Sequence, residues 1–161
     1  MEDTWREPEK GLLTGTVVAR VDLVEAKAME KRMVLIKAPE MEQQITATGH
    51  VALYGIYFDF NQAALKPESD STLQEVQHLM AGDPSLKLLV VGHTDNVGTF
   101  EFNQDLSSRR AAAVVEALGR RFAVPSQRLF AFGCSFASPA APNTSEEGRA
   151  KNRRFELVRW N

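Results

Sequence analysis

Thiol chemistry is nearly absent from this sequence: Cys134 is the single cysteine among 161 residues, which excludes an intrachain disulfide and a cysteine-rich metal site. Long hydrophobic runs are missing as well. Nothing approaches the roughly 18 consecutive apolar residues that a membrane-crossing helix needs. Charge of one sign is not in excess, since 19 Lys and Arg against 21 Asp and Glu leave a formal net charge of -2. That balance gives no support to a nucleic-acid or anionic-membrane partner, which normally requires a basic surplus. The opening ten residues lack the basic end and apolar stretch of a secretory signal peptide, so export would need a segment that this sequence does not carry. What is present, 43% hydrophobic and 25% charged residues, is ordinary globular composition with material for one core of moderate size.

The first third of the chain is patterned differently from the rest. After ten polar residues, residues 13–24 are rich in β-branched side chains with partial alternation and read as a strand. Met33-Val34-Leu35-Ile36 is a second apolar run, and the two most simply form an antiparallel pair. Residues 39–48 read as a short helix with Met41, Ile45 and Ala47 facing inward, ended by Gly49. Residues 1–49 are therefore expected to form a β-rich N-terminal extension that either covers an edge of the main sheet or docks a partner protein. Residues 50–161 are expected to form the main domain.

Within that domain, residues 51–58 are apolar on both faces, as in an interior strand. Lys66-Pro67-Glu68-Ser69 opens a helix, with Pro67 where a missing donor costs nothing and Glu68 near the favourable dipole end. Leu73, Val76, Leu79 and Met80 form its inward stripe, His78 falls between stripe positions, and Gly82-Asp83-Pro84 stops it. The apolar run 86–91 is the next strand, parallel to the first across a helical crossover. A third strand over 128–133, a proline-containing loop, a short helix from Thr144 or Ser145, and a closing strand over 152–160 complete the pattern. The expectation is an α/β fold: a mixed sheet of about four strands with its two main helices on one face.

Everything converges on the stretch after the second strand. Gly92-His93-Thr94-Asp95-Asn96-Val97-Gly98 is a polar loop with one carboxylate, and Asn103 is a candidate cap for the helix that follows. On that helix Leu106, Arg110, Ala113, Val114, Ala117 and Leu118 share one face, because they recur at steps of three or four. An arginine on the apolar face costs roughly several kcal/mol unless acceptors meet it. Asp95, at the end of the preceding strand, is the nearest candidate. The two would frame a pocket with one negative and one positive wall, which suits a zwitterion: an ammonium at Asp95 and a carboxylate taken bidentately by Arg110.

Three catalytic readings fail on residue chemistry. His93 and Asp95 alone fall short of the three protein ligands of a catalytic zinc. Cys134 has no assigned base or orienting group that would make it a nucleophile. Asp95 with Glu101 or Asp105 could suggest glycoside hydrolysis, but a salt-bridged aspartate is a poor general acid. The expectation is a non-enzyme with no cofactor and no metal.

The segments GHTDNVG (92–98), NQDLSSRRAAAV (103–114) and EEGRAKNRRFEL (146–157) closely resemble the signature of the OmpA-like C-terminal domain family. This peptidoglycan-binding module also occurs in peptidoglycan-associated lipoproteins and flagellar stator proteins. The resemblance runs from about Val51 to Trp160, and several separated motifs stand in the right order. It implies non-covalent binding of the diaminopimelate of a peptidoglycan stem, with Asp95 and Arg110 at the ligand-holding positions. It also implies Asn61 of the Asp59-Phe60-Asn61 loop, Asn103, the backbone of Val97 in the loop wall, and Arg153, the first arginine of NRR, as ligand contacts. For Asp59, bracing its own loop and contacting ligand remain equally open. Arg149 and Arg154 are either paired to Glu146, Glu147 and Glu156 or simply solvated. The function implied is cell-wall anchoring of an envelope protein in the periplasm or at the outer membrane, with residues 1–49 available to other envelope proteins. The alternative is an OmpA-like protein-protein docking module of a secretion or motility complex, with no wall ligand.

Overall fold

The computed structural model describes residues 35–160, and they belong to a compact unit that begins at Leu35. The strand expected over 13–24 and the first two residues of the run at 33–36 lie outside the described residues. Leu35 and Ile36 themselves are in neither helix nor strand.

The unit is a mixed α/β structure. Helix α1, Ala38–Thr48, turns Met41 and Ile45 into the core, while Ala47, expected inward, is exposed. Ala47 lies two residues after Ile45, about 200 degrees around the helix, so the two cannot share a face. Met41 and Ile45 share one continuous core with the sheet and the later helices. Strand β1, His50–Leu53, follows at once. It is shorter than the apolar run predicts, and it is an edge strand among the described residues rather than an interior one. Among the described residues its ladder is to β4, whose first residue, Phe155, is already opposite Leu53. Beyond that point the backbone finds other partners: Ser69 Oγ accepts a hydrogen bond from Tyr57 N at 2.8 Å, and Phe58 bridges Leu65.

A single 3-10 turn, Pro67–Ser69, leads into α2, Asp70–Gly82, which buries Leu73, Val76, Leu79 and Met80 as its periodicity predicts. Its C-terminus is closed by a residue far away in sequence. The Arg128 guanidinium donates to the carbonyls of Met80, Asp83 and Leu86, at 2.9, 2.5 and 2.9 Å, and so ties one open oxygen of the last helical turn to the loop that follows. Strand β2, Leu88–Gly92, is next, then α3, Phe100–Phe122; β3, Leu129–Gly133; α4, Glu146–Asn152; and β4, Phe155–Arg159.

The sheet order is β1-β4-β2-β3. β4 runs antiparallel to both β1 and β2, and β2 pairs in parallel with β3. β1 and β2 therefore point the same way, but the closing strand is inserted between them. Val51, Leu53, Leu88, Val90, Phe155 and Leu157 face the helices and are buried. On the other face Phe130 and Trp160 stack at 3.9 Å between ring centroids, and both are exposed along with Phe132.

Helix α3 lies very close to β2 and β3. A Cβ on Gly92 would stand 2.6 Å from the carbonyl oxygen of Ser107, and one on Gly133 would overlap Ser108 and stand 2.7 Å from Ser107 Oγ. Small residues on both sides permit this approach. The row facing the sheet accordingly includes Ser107 and Ala111 as well as Leu106, Val114 and Leu118, which displaces Arg110 to the border of the buried face.

Candidate functional site

The loop that follows β2 is held from both sides. His93 N donates to the carbonyl of Arg154 at 3.0 Å and Thr94 N to that of Ser135 at 2.9 Å, so the chain stays tied to its neighbours on both sides past the end of β2. There the Asp95 carboxylate turns the chain: its Oδ1 accepts from Val97 N at 3.0 Å, a local side-chain turn. Gly98, at φ +94°, completes the reversal in a backbone region that side-chain-bearing residues disfavour.

Helix α3 begins earlier than expected. Thr99, not Asn103, is its cap, and the Thr99 hydroxyl accepts from Phe102 N. Asn103 is instead a buried residue of the first turn. Its Nδ2 donates to the carbonyls of Val97 and Thr99 at 2.9 and 3.1 Å, which ties the loop to the helix.

One cleft of about 580 Å³ is lined by Asn61, Asp95, Val97, Asn103, Arg110 and Arg153, the six residues singled out from the sequence. They come from four separate parts of the chain: the loop after β1, the loop after β2, α3, and the turn between α4 and β4. Asn61 holds a left-handed φ of 55°, a conformation asparagine tolerates better than most residues. Sequence reasoning missed the lining residues Thr94, Phe102, Leu106, Glu146 and Arg149. Thr94 was legible as a neighbour of Asp95. Glu146 and Arg149 were legible only as charges on a short helix. Thr94 is 5% exposed, and its buried hydroxyl has no partner among the described residues.

The expected direct pair between Asp95 and Arg110 is not formed. Arg110 Nε donates to the carbonyl of Gln62 at 2.9 Å and Nη2 to that of Asp59 at 3.3 Å, with the guanidinium 5.1 Å from the Phe58 ring centroid. The loop after β1 thus presents its carbonyls where a carboxylate had been expected. Asp59 braces that loop, its carboxylate meeting Lys66 at 2.9 Å. Asp95 pairs with Arg153 instead, Nη1 to Oδ2 at 2.7 Å, and the same guanidinium reaches Glu146 at 2.5 Å.

The electrostatics follow from these contacts. Burial, with Arg109 adding to it, lowers the pKa of Arg110 from the ordinary arginine value, and Asp95 opposes that shift. An arginine remains a cation under such a shift, but one short of anionic neighbours. For Arg153, burial also lowers the pKa, yet the hydrogen bonds to Asp95 and Glu146 outweigh it and the net shift is upward. Glu146 is held below the usual carboxylate range chiefly by its hydrogen bond to Arg153.

Arg149 and Arg154 are both paired, with Glu146 and Glu156 respectively. Asn152, expected in the closing strand, ends α4 and is fully buried; its side chain bonds the backbone of Ala140 and Ala141 and the side chain of Asn143. Burial pushes the Cys134 thiol up, away from the thiolate that nucleophilic chemistry requires.

The OmpA family model matches residues 57–153. Outer membrane porin F of Pseudomonas aeruginosa is 41% identical over 101 residues, which cover 63% of this chain and 29% of that protein. The crystal structure of the peptidoglycan-associated lipoprotein from Burkholderia pseudomallei superposes with a TM-score of 0.59 at 30% identity, covering 71% of this chain and 92% of that one. The cell wall anchor of the T6SS from Pseudomonas aeruginosa gives a TM-score of 0.59 at 28% identity, over 75% and 94% of the two chains. This chain spans less than a third of the porin it matches. No described helix is long and apolar enough to cross a membrane.

Proposed function

This chain belongs to the OmpA family, and on that premise we propose that its cleft holds the diaminopimelate of a peptidoglycan stem without covalent chemistry. The domain would thereby anchor an envelope protein to the cell wall from the periplasmic side. One observation carries this: Asp95 and Arg110 line the same cleft and are not bonded to each other.

In the proposed complex, the free end of the diamino acid lies between them. Its ammonium meets Asp95, whose carboxylate accepts further hydrogen bonds beyond those from Val97 N and Arg153. Its carboxylate meets Arg110, whose Nε and Nη2 are already fixed by loop carbonyls, so the guanidinium is oriented before ligand arrives. Asn61, Asn103 and the Val97 backbone close the walls, and the Thr94 hydroxyl, which has no partner among the described residues, supplies one more polar group. Arg153 stands where it can meet a second carboxylate of the peptide. A few charge-assisted hydrogen bonds give modest strength at one site, and many identical stems on one polymer raise it by multivalency.

Titration with free meso-diaminopimelate, followed by amide chemical shifts, tests the reading. Shifts centred on residues 94–98 and Arg110 are expected. A silent spectrum there at millimolar ligand would favour a docking module that has no wall ligand.

A further inference from the structure

On the charged side of the cleft, two arginines share a single carboxylate. Glu146 opens α4, Arg149 stands one turn on, Arg153 follows the helix end, and all three line the cleft. Glu146 Oε1 accepts from Arg153 Nη2 at 2.5 Å and its Oε2 from Arg149 Nε at 3.0 Å, so each oxygen serves one guanidinium. Each arginine also has a hold elsewhere: Arg149 Nη1 donates to the carbonyl of Asn143 at 3.0 Å, and Arg153 Nη1 donates to Asp95. The Glu146 side chain has no such second hold among the described residues. It is 65% exposed, against 42% for Arg153 and 28% for Arg149. Nor does the helix need its oxygens as a cap, because the Ser145 hydroxyl already accepts from Gly148 N. The carboxylate is therefore the movable member of the group, and the two guanidiniums are the fixed ones.

Two guanidiniums that hold one carboxylate by its two oxygens form a receptor for carboxylates in general. Glu146 fills that receptor from within. A carboxylate brought by a ligand can take the same place while Glu146 turns out into water, and the exchange costs little because exposed ion pairs contribute little. A carboxamide cannot, since it offers one acceptor oxygen and turns its own N–H donors toward those of the guanidiniums. A stem peptide seated by the zwitterionic end of its diamino acid carries further carboxylates, one on the γ-linked D-glutamyl residue and, in a tripeptide, one at the C-terminus. Either has the chemistry required.

We propose that Glu146 is an internal stand-in for a second ligand carboxylate, displaced from Arg149 and Arg153 when a stem peptide binds, and that it thereby sets how strongly the cleft distinguishes a free carboxylate from an amidated one. With Glu146 in place, the gain from that carboxylate is small, because each arriving carboxylate displaces another. This rests on the diaminopimelate reading of the same cleft.

Calorimetric titrations of the parent, Glu146→Gln and Glu147→Gln test it, with the L-Ala-γ-D-Glu-diaminopimelate tripeptide in unmodified form, amidated at the D-glutamyl carboxylate, amidated at the C-terminal carboxylate, and amidated at both. The quantity read is the Kd of the doubly amidated peptide divided by that of the unmodified one, a ratio in which any change the substitution makes to the rest of the cleft cancels. In Glu146→Gln the ratio should rise about fivefold over the parent, the worth of one exposed charge pair. Glu147 lies on the same helix turn, but it pairs with Lys151 and does not line the cleft, so Glu147→Gln should leave the ratio within about twofold of the parent. The singly amidated peptide that loses the gain identifies the carboxylate that displaces Glu146; if both keep it, either carboxylate serves. A ratio unchanged in Glu146→Gln would overturn the inference. A lowered ratio would overturn it too, by making Glu146 an aid to the arginines instead of a rival for them. So would an equal rise in Glu147→Gln, which would assign the effect to the net charge of the helix start. In all three cases, binding of the doubly amidated peptide leaves the diaminopimelate reading standing. If the folded parent binds none of the peptides, that reading fails and this inference fails with it.

Discussion

Arg153 Nη1 donates to Asp95 Oδ2 at 2.7 Å across 58 residues of sequence, and the same side chain bridges to Glu146. This ion pair joins the loop after β2 to the short helix α4 and sets the carboxylate that the proposed ligand needs. Replacing Arg153 with Gln should lower stability by about 0.5–1 kcal/mol at low salt, because the arginine is partly exposed and such pairs are screened. Urea unfolding at two salt concentrations checks this, and the difference from the parent should shrink at the higher one.

Asn152 positions the charged side of the cleft without lining it. Its amide holds the backbone of Ala140 and Ala141 and the side chain of Asn143 from a fully buried position. Asn152→Ala should cost about 3 kcal/mol, since several buried polar groups lose their partner together. Where the variant remains folded, binding of diaminopimelate-containing peptides should weaken with it, because Glu146, Arg149 and Arg153 lie on the same short segment. Paired unfolding and peptide titrations measure both effects.

Much of this was legible from local sequence, and the exceptions share a cause. The strand 88–92, its polar loop and the helix beyond carry apolar periodicity and turn chemistry within a few dozen residues, so these elements and the pairing of Asp95 with Arg110 as candidates could be read from one dimension, whereas Asn61, Val97, Asn103 and Arg153 came only from the family resemblance. The insertion of β4 between β1 and β2 could not, because strand order is set by pairing across 63 to 108 residues. Arg110 shows the same limit. Its position near the buried face follows from spacing, but its acceptors are carbonyls on a loop 48 and 51 residues earlier, and carbonyls leave no mark in side-chain identity. The early start of α3 at Thr99 was hidden because Thr and Asn are both good caps.

The close seating of α3 gives a prediction about glycine. Gly133→Ala should destabilise the domain by about 1–3 kcal/mol, since the added Cβ meets Ser107 and the backbone of Ser108 rather than a movable chain end. Adding Ser108→Ala should recover little, because the Ser108 backbone nitrogen remains in the way. Thermal unfolding of the single and double variants decides this.

His93 makes stability depend on pH. Burial and, after it, Arg154 lower its pKa from 6.5 to about 4, with Glu156 opposing, and both ring nitrogens are buried with no hydrogen-bond partner in the described residues. Between about pH 6.5 and 4 the unfolded chain therefore binds a proton that the folded chain does not, so stability falls as the pH falls through that window. By pH 4 the loss from this group should reach about 3 kcal/mol relative to pH 7.5. A His93→Phe variant should lose most of that slope. Urea unfolding at half-unit pH steps measures it, and a slope unchanged in the variant would assign the acid sensitivity to other groups.

The most direct test of the account is co-sedimentation with purified diaminopimelate-type sacculi, using the parent and an Asp95→Asn, Arg110→Ala double variant shown by circular dichroism to be folded. The parent should pellet with the sacculi and the variant should remain in the supernatant. Equal pelleting of the folded variant would contradict the assignment of this cleft to the cell wall.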